Sequence, residues 1–118
     1  MVIEMQVTEL LRILTLFQKA PPDDVGDLSL SMMIVFLLVC QEEGRPTGEL
    51  ADILKVSDGT VTNIVRTLAE GRKRDGVRRP GYHLLRQEQN PDDYRVKNVY
   101  LTPKGKELLK QLQQGFYR

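Results

Sequence analysis

The sequence predicts a mainly α-helical protein with one small β-hairpin, because five segments with distinct signatures follow one another in order. In two short segments, which a tight turn separates, apolar residues recur with the helical repeat. Two strand-like runs, the second of them rich in Val and Tyr, then flank a turn-forming stretch, and a Thr-Pro pair opens a closing helix. The segments are, in order, residues 47–54, 55–58, 59–70, 84–101 and 102–118. Helix, turn, helix, hairpin and helix in this order are typical of a winged helix-turn-helix.

Composition and charge fit one ordinary globular domain over residues 1–118. Hydrophobic residues make up 41% and charged residues 28% of the chain, which is the usual balance of such a domain. Residues 1–44 hold two basic and seven acidic residues, a net charge of −5, whereas residues 45–118 hold fifteen basic and nine acidic residues, a net charge of +6. A basic region beside an acidic one predicts a polyanionic partner, and an accidental distribution of surface charge is the alternative.

The first 20 residues predict a dimerisation helix. Apolar residues between Val2 and Lys19 cover more than one face of this helix, whereas a surface helix of a monomer needs a single apolar stripe. We therefore expect a second chain to cover part of it, a helix enclosed by its own subunit being the alternative. The paired prolines Pro21 and Pro22 end the helix.

The next helix is expected to be a buried core helix, capped by Ser29 or Ser31 and ending at Gly44. Its apolar run, residues 32–39, is too short to span a bilayer, so no membrane partner is expected. Cys40 is the only cysteine, which excludes an internal disulfide and favours a reducing compartment such as the cytoplasm. We expect Cys40 to be a small core residue, with redox sensing as the alternative.

The sequence of the second helix in the helix-turn-helix predicts an outward face that contacts DNA bases. Thr47 is expected to cap the first helix and Ser57 the second. The inward positions are expected to be Leu50, Ala51, Leu54, Val61, Ile64, Val65 and Leu68, and the outward ones Asp58, Gly59, Thr60, Thr62, Asn63, Arg66 and Thr67. Such a face fits a major groove, where Asn63 could pair with an adenine and Thr60 or Thr62 could contact a thymine methyl or a phosphate. An ordinary solvated helix face is the alternative.

Residues 71–80 predict an exposed basic loop. Five of these ten residues are basic, and two glycines and a proline accompany them: the basic residues are Arg72, Lys73, Arg74, Arg78 and Arg79. Beside a recognition helix they would contact phosphates and add affinity without sequence choice. A solubilising loop without a partner is the alternative.

The hairpin predicts a wing that leaves the body of the domain part of the way along its strands. Its two strands are expected at residues 84–89 and 94–101, joined by a turn at residues 90–93. Arg95 and Lys97 are expected near its tip. Thr102 is then expected as N-cap of the last helix, with Pro103 at its first position and an apolar side that includes Phe116.

In this order the chain resembles the MarR family of winged-helix transcription regulators over residues 30–112. The matching residues are Glu49-Leu-Ala, Val56-Ser, Thr60-Val-Thr, Leu68, Gly81, Arg86, Pro91, Asp93-x-Arg95 and Val99-x-Leu-Thr-x-x-Gly105. The resemblance implies that the helix beginning near Ser57 reads the major groove. It further implies that Arg95 enters the minor groove, oriented by Asp93, and that the terminal helices form a two-fold dimer.

The resulting expectation is a dimeric repressor that reads a palindromic operator in double-stranded DNA. Residues 29–101 would form the DNA-binding core and wing, and residues 1–20 and 102–118 the dimerisation helices. The expected DNA-binding residues are Ser57, Asp58, Gly59, Thr60, Thr62, Asn63, Arg66, Arg72, Lys73, Arg74, Arg78, Arg79, Arg86, Asp93, Arg95 and Lys97.

Two features depart from the family pattern. Residues 71–80 make the link from recognition helix to wing longer than usual. The sequence also ends soon after the first helix beyond the wing, where family members continue into one more dimerisation helix, so we expect an interface rebuilt around residues 2–19. A reduced dimer region argues against a small-molecule effector pocket, and Cys40 does not match the family's peroxide-sensing position.

An enzyme, a cofactor and a metal site are not expected. His83 is the only histidine, and the sequence contains no HExxH, P-loop or CxxC motif. The alternative function is a winged-helix DNA-binding module of a replication or partition protein, or a protein-interaction module, because one fold serves several functions.

Overall fold

The computed structural model describes residues 7–21, 26–74 and 76–114. The helices in these ranges are α1 (Val7–Lys19), α2 (Leu30–Gln41), α3 (Thr47–Leu54), α4 (Asp58–Leu68) and α5 (Pro103–Gln114). The strands are β1 (Arg45–Pro46), β2 (Gly71–Arg74), β3 (Val77–Pro80), β4 (Leu85–Gln89) and β5 (Lys97–Leu101). Strands β1, β5 and β4 form an antiparallel sheet with β5 in the centre, and β2 and β3 form a separate two-stranded sheet. The predicted mainly α fold with a small hairpin wing is confirmed.

The core lies where α2, α3 and α4 meet the three-stranded sheet. Its largest fully buried side chains are Phe36, Leu50, Leu68, Leu84, Leu85, Val35, Val39, Val61, Val65 and Val99. Burying each of them contributes about 1.5–3 kcal/mol. Phe17 joins α1 to this core, because its ring packs edge-on against Phe36 with a centroid distance of 5.9 Å.

Helix α2 differs from its prediction at its C-terminus and in its burial. Ser29 is the N-cap, as predicted, and its Oγ accepts a hydrogen bond from the Met32 N–H at 3.2 Å. The helix ends at Gln41, three residues before the predicted Gly44, because the Arg45 guanidinium donates to the Leu38 carbonyl at 3.2 Å and draws the chain back into β1.

One side of α2 is exposed, which differs from the prediction of a buried core helix. The exposed apolar side chains are Leu30, Ile34 and Leu37, at 68%, 38% and 44%. They follow the helical repeat, so they form one stripe, while the opposite side packs into the core. No helix in the described ranges is long and apolar enough to cross a membrane.

The helix-turn-helix is formed by α3, the turn after it, and α4. Lys55 adopts a left-handed conformation with φ 57°, which ends α3 and turns the chain. Ser57 caps α4, as predicted, accepting from the Thr60 N–H at 3.1 Å. The predicted Thr47 cap is wrong: Pro46 holds that position and Thr47 is already helical, because β1 pairs Arg45 and Pro46 with β5 in extended conformation.

The predicted basic loop is a hairpin instead. Residues 71–74 and 77–80 form the antiparallel strands β2 and β3. Hydrogen bonds between the chain after the hairpin and the end of α4 hold the base of the hairpin together. The N–H groups of Tyr82 and Leu84 donate to the α4 carbonyls of Thr67 and Leu68 at 3.0 and 2.8 Å. These bonds bring residue 81 back beside residue 71, so that residues 71–74 pair with residues 77–80.

The wing is shorter than predicted. Strand β4 begins at Leu85 and β5 only at Lys97, because residues 90–96 form a wider turn that the Asn90 N–H closes on the Val96 carbonyl at 2.8 Å. The predicted Thr102 cap of α5 is confirmed by the hydrogen bond from the Gly105 N–H to Thr102 Oγ1 at 3.0 Å. The predicted residues 2–6 of the first helix, and Phe116, lie outside the described residues.

Candidate nucleic-acid interface

Helix α4 presents a polar face to solvent and an apolar face to the core. Val61, Val65 and Leu68 are fully buried, so the rotation of the helix about its axis is fixed by core packing. The opposite side carries the predicted outward residues. Asp58, Gly59, Thr60, Asn63 and Arg66 are exposed, and Thr62 and Thr67 are half-buried.

The exposed polar groups of α4 differ in how far the protein itself uses them. The Thr60 hydroxyl lies 2.8 Å from the Ser57 hydroxyl and belongs to the helix cap. The Asn63 backbone carbonyl accepts from the Thr67 hydroxyl at 2.8 Å, while the Asn63 side-chain amide makes no hydrogen bond to another described residue. An unengaged amide on a fixed helix offers the donor and acceptor pair that a base edge requires.

The tip of the wing holds an arginine by three hydrogen bonds. Arg95 Nε and Nη2 donate to the two carboxylate oxygens of Asp93 at 3.1 and 3.3 Å, and the Arg95 backbone N–H donates to the same carboxylate at 3.1 Å. These bonds lower the pKa of Asp93 below its ordinary value, the side-chain bond from Arg95 being the largest cause. Arg95 remains 79% exposed, so its guanidinium is both oriented and accessible.

Farther along the wing, Arg86 is held against its own sheet. Its guanidinium lies 4.7 Å from the ring centre of Tyr100, the residue directly opposite on β5, and it also pairs with Glu88. Lys97, at the start of β5, is exposed.

A polar cleft of about 500 Å³ separates the end of α4 from the wing. Three basic side chains and one acidic side chain line it: Arg66 from α4, Arg86 from β4 and Lys97 from β5, with Glu70 shortly after α4. His83, which is exposed and has a positive φ of 57°, lines the same cleft, as does Gly71 at the start of β2. The sequence placed these basic residues on separate elements. The antiparallel pairing of β4 with β5 brings Arg86 and Lys97 into one sheet, and the hydrogen bond from the Leu84 N–H to the Leu68 carbonyl at 2.8 Å joins that sheet to the end of α4.

The five basic residues of the segment 71–80 lie on the β2–β3 hairpin. Arg72, Lys73 and Arg74 are on β2, and Arg78 and Arg79 are on β3. Ser57, as the cap residue, is the remaining predicted site residue and lies at the N-terminus of α4.

An apolar groove of about 410 Å³ lies between α1 and α5, and no signal in the sequence pointed to it. Leu16 and Ala20 line one wall, Leu108 the other, and Leu84 the floor. The expectation that no small-molecule effector binds stays a prediction.

Cys40 packs half-buried against the core. Burial, and to a smaller extent the Glu43 carboxylate, raise the pKa of its thiol to about 12. Such a thiol is a poor nucleophile at neutral pH. Among the described residues there is no group of three or more His, Cys, Asp or Glu side chains that could hold a metal ion.

Comparison with known proteins finds its matches among solved structures alone. No family model matches the sequence, and no curated protein matches it. A MarR transcriptional regulator from Methanosarcina mazei Go1 is 19% identical with a TM-score of 0.63, over 88% of this chain and 63% of that one. The YusO protein from Bacillus subtilis is 18% identical with a TM-score of 0.63, over 92% and 64%. The MepR–DNA complex of S. aureus is 19% identical with a TM-score of 0.64, over 92% and 73%.

These likenesses show both the broad fold class of the chain and a narrower fold type within it. The helix-turn-helix followed by the β4–β5 wing makes the chain a winged-helix protein. More narrowly, it is a MarR-like winged helix, since the arrangement of its helices and wing is that of MarR-type transcriptional regulators. The chain spans slightly less than two thirds of the length of the first two of these structures.

Proposed function

We propose that this protein is a DNA-binding transcription regulator, a dimeric repressor that reads a palindromic operator. The observation that carries the proposal is the pairing of two surfaces: the polar face of α4 with its unengaged Asn63 amide, and the exposed Arg95 that Asp93 orients at the wing tip. The first suits a major groove and the second a minor groove. Double-stranded DNA, in a reducing compartment that keeps Cys40 a free thiol, is the proposed partner.

The basic cleft between α4 and the wing gives the DNA backbone a place in this arrangement. A phosphate strand separates each major groove from the neighbouring minor groove, so it must pass between the two reading elements. Arg66 and Lys97 flank that path, and they would bind phosphates without sequence preference. The stacked Arg86 is a less mobile contact on the same path.

The terminal helices support the proposed dimer. Arg12 on α1 donates to the α5 carbonyls of Gln111 and Leu112 at 2.9 and 2.6 Å, which ties the two helices into one unit. The outer side of α1 then exposes an apolar stripe: Val7, Leu10, Leu11 and Leu14 are 73%, 46%, 59% and 44% exposed. A second copy that covers this stripe would present two α4 helices, and helices about 34–36 Å apart read a palindrome.

The reading role of α4 is tested by selecting duplexes from a random pool and measuring affinities for the selected and a scrambled site. Asn63→Ala should weaken binding to the selected site by about 1–3 kcal/mol, or roughly 5- to 150-fold, because it removes a bidentate hydrogen bond to a base. Binding to the scrambled site should stay unchanged.

The matched control is Gln113→Ala, which removes another exposed side-chain amide, on α5 rather than on α4. If Asn63→Ala discriminates between the two sites as well as the control does, α4 is not the reader. If the pool yields no selected site but duplexes bind, a replication or partition module becomes the better explanation.

The dimer is tested by sedimentation at micromolar protein concentration. Leu10→Glu should convert a particle of twice the chain mass into one of single mass, because it places a charge in the proposed interface. Ile53→Glu is the matched control, since Ile53 on α3 is 45% exposed, against 46% for Leu10. A wild-type protein of single mass would refute the dimer.

A further inference from the structure

The β2–β3 hairpin pairs like charges with one another. In its register Arg72 lies opposite Arg79 and Lys73 lies opposite Arg78, so both central pairs join two basic residues. Like charges at directly opposed positions destabilise a sheet, and a two-stranded hairpin is marginally stable even without this effect. Residues 71–80 carry five basic residues against one acidic residue, Asp75. The hairpin therefore concentrates positive charge at the expense of its own ladder.

The base of this hairpin is fixed to the recognition helix. Gly71 has a φ of +99°, which turns the chain out of α4 into β2. Gly81 returns so close to α4 that a Cβ placed there would lie 2.3 Å from the Ala69 carbonyl oxygen and 2.3 Å from the Gly71 nitrogen. The His83 N–H then donates to the Ala69 carbonyl at 2.8 Å. The two strands thus leave the molecule from a defined point at the C-terminal end of α4.

This point adjoins the basic cleft. Gly71, the first residue of β2, lines the cleft together with Arg66 and Lys97. The backbone of the hairpin therefore begins beside the path along which the proposed function places a phosphate strand. A linear polyanion lying in the cleft meets the hairpin at the place where the cleft ends.

We propose that the β2–β3 hairpin is a second wing, which binds the phosphate backbone of duplex DNA and whose strand pairing that backbone stabilises. The proposal rests on the proposed function and adds to it a coupling between binding and local order. Without DNA the opposed charges weaken the ladder. With DNA the phosphates neutralise both members of each pair, so strand pairing and DNA binding strengthen each other.

The test measures amide hydrogen exchange of residues 71–80, with and without an operator duplex, alongside binding at several salt concentrations. In the wild type the duplex should slow exchange in the hairpin at least tenfold. The double variant Arg72→Glu/Lys73→Glu places opposite charges at both central pairs. Its hairpin should therefore exchange slowly even without DNA, while it binds operator and scrambled duplex at least tenfold more weakly.

The salt dependence distinguishes direct phosphate binding from an indirect effect. The slope of log affinity against log salt should become shallower by about one unit for each phosphate that the protein no longer neutralises. The loss should therefore be about two units or more in this variant, because two cations are removed and the new carboxylates also neutralise their partners. Lys106→Glu/Lys110→Glu is the matched control, because it changes the net charge equally at two exposed positions of α5. Its slope should stay within about half a unit of the wild type.

The outcomes separate this proposal from the proposed function. A wild type that binds its operator with unchanged hairpin exchange, or a hairpin variant that binds as well as the control, overturns the second wing and leaves the regulator intact. A wild type that binds no duplex overturns both. Slower hairpin exchange with single-stranded RNA but not with duplex DNA overturns the choice of partner.

Discussion

The molecule contains two antiparallel hairpins, and they differ in what stabilises them. The wing hairpin, β4–β5, is extended by β1 into a three-stranded sheet, and Leu85, Val99 and Leu101 anchor its base in the core. The β2–β3 hairpin pairs two strands only. Its ladder depends on the fixed chain ends at Gly71 and Gly81, whereas the wing depends on side-chain burial.

The two hairpins also differ in the charges of the residues that are paired across their strands. In the wing the register places Arg86 opposite Tyr100 and Glu88 opposite Asn98, so each charge faces a neutral partner. In the second hairpin both central pairs are basic. Hydrogen bonds to Asp93 hold Arg95 of the wing in one orientation, which under the proposed function suits it to discriminate between grooves. The second hairpin concentrates charge in a weak ladder, which suits it to add affinity.

The largest expected effect comes from Gly81, because this residue fixes the base of the second hairpin and lies in the short connection between that hairpin and the wing. Gly81→Ala puts a methyl group 2.3 Å from two backbone atoms, neither of which can yield as a side chain would. We expect the free energy of unfolding to fall by about 1–3 kcal/mol, the cost of overpacking a tight site. Urea denaturation measures this change.

Gly48→Ala is the control for the same substitution. Gly48 lies on α3 with nothing within 4 Å of the added Cβ, so alanine should stabilise the helix by about 0.5–1 kcal/mol. Equal stabilities of the two variants would show that the hairpin base is not fixed by close backbone approach.

The comparison of hairpins also shows what the sequence could predict. The wing was predictable, because apolar residues alternate toward its base and Asn-Pro-Asp-Asp has turn chemistry. The predicted strands are longer than the observed ones, because Tyr94 and Val96 are residue types that are common in strands. The backbone bond from Asn90 to Val96, which widens the turn, leaves no mark in composition.

The second hairpin was not predictable from its own residues. Charged residues, two glycines and a proline indicate a loop, and like charges argue against pairing. The strands form because the Thr67 and Leu68 carbonyls bind the returning chain, a tertiary interaction that propensity does not contain. By contrast, the polar face of α4 was predictable, since the burial of Val61, Val65 and Leu68 follows directly from the helical repeat.

A smaller effect is expected at the wing tip, in DNA affinity rather than in stability. Arg95→Ala should weaken binding to the operator by about 1–2 kcal/mol, and to scrambled duplex by less, because a held arginine responds to groove width as well as to charge. Lys97→Ala serves as the control, since it removes an exposed charge from the same hairpin without a described carboxylate partner. Equal losses of affinity for the operator and for the scrambled duplex would mean that Arg95 contributes its charge alone, as proposed for the second hairpin.

The smallest expected change in DNA affinity comes from Asp93→Ala, and its sign distinguishes two explanations. Removing a negative charge should tighten DNA binding if electrostatics alone acted, whereas the geometry gives the opposite sign, because Arg95 loses the carboxylate that orients it. We expect Asp93→Ala to lose part of the operator affinity that Arg95→Ala loses.

The pH dependence follows from the charge of Asp93. Since the pKa of Asp93 is lowered below its ordinary 3.8, its carboxylate is charged throughout neutral and mildly acidic solution. It stops orienting Arg95 only as the pH falls through that lowered pKa. The affinity difference between wild type and Asp93→Ala should therefore stay constant between about pH 5 and pH 8. Tighter operator binding by Asp93→Ala at any pH in this range would refute the orienting role and make the two hairpins alike.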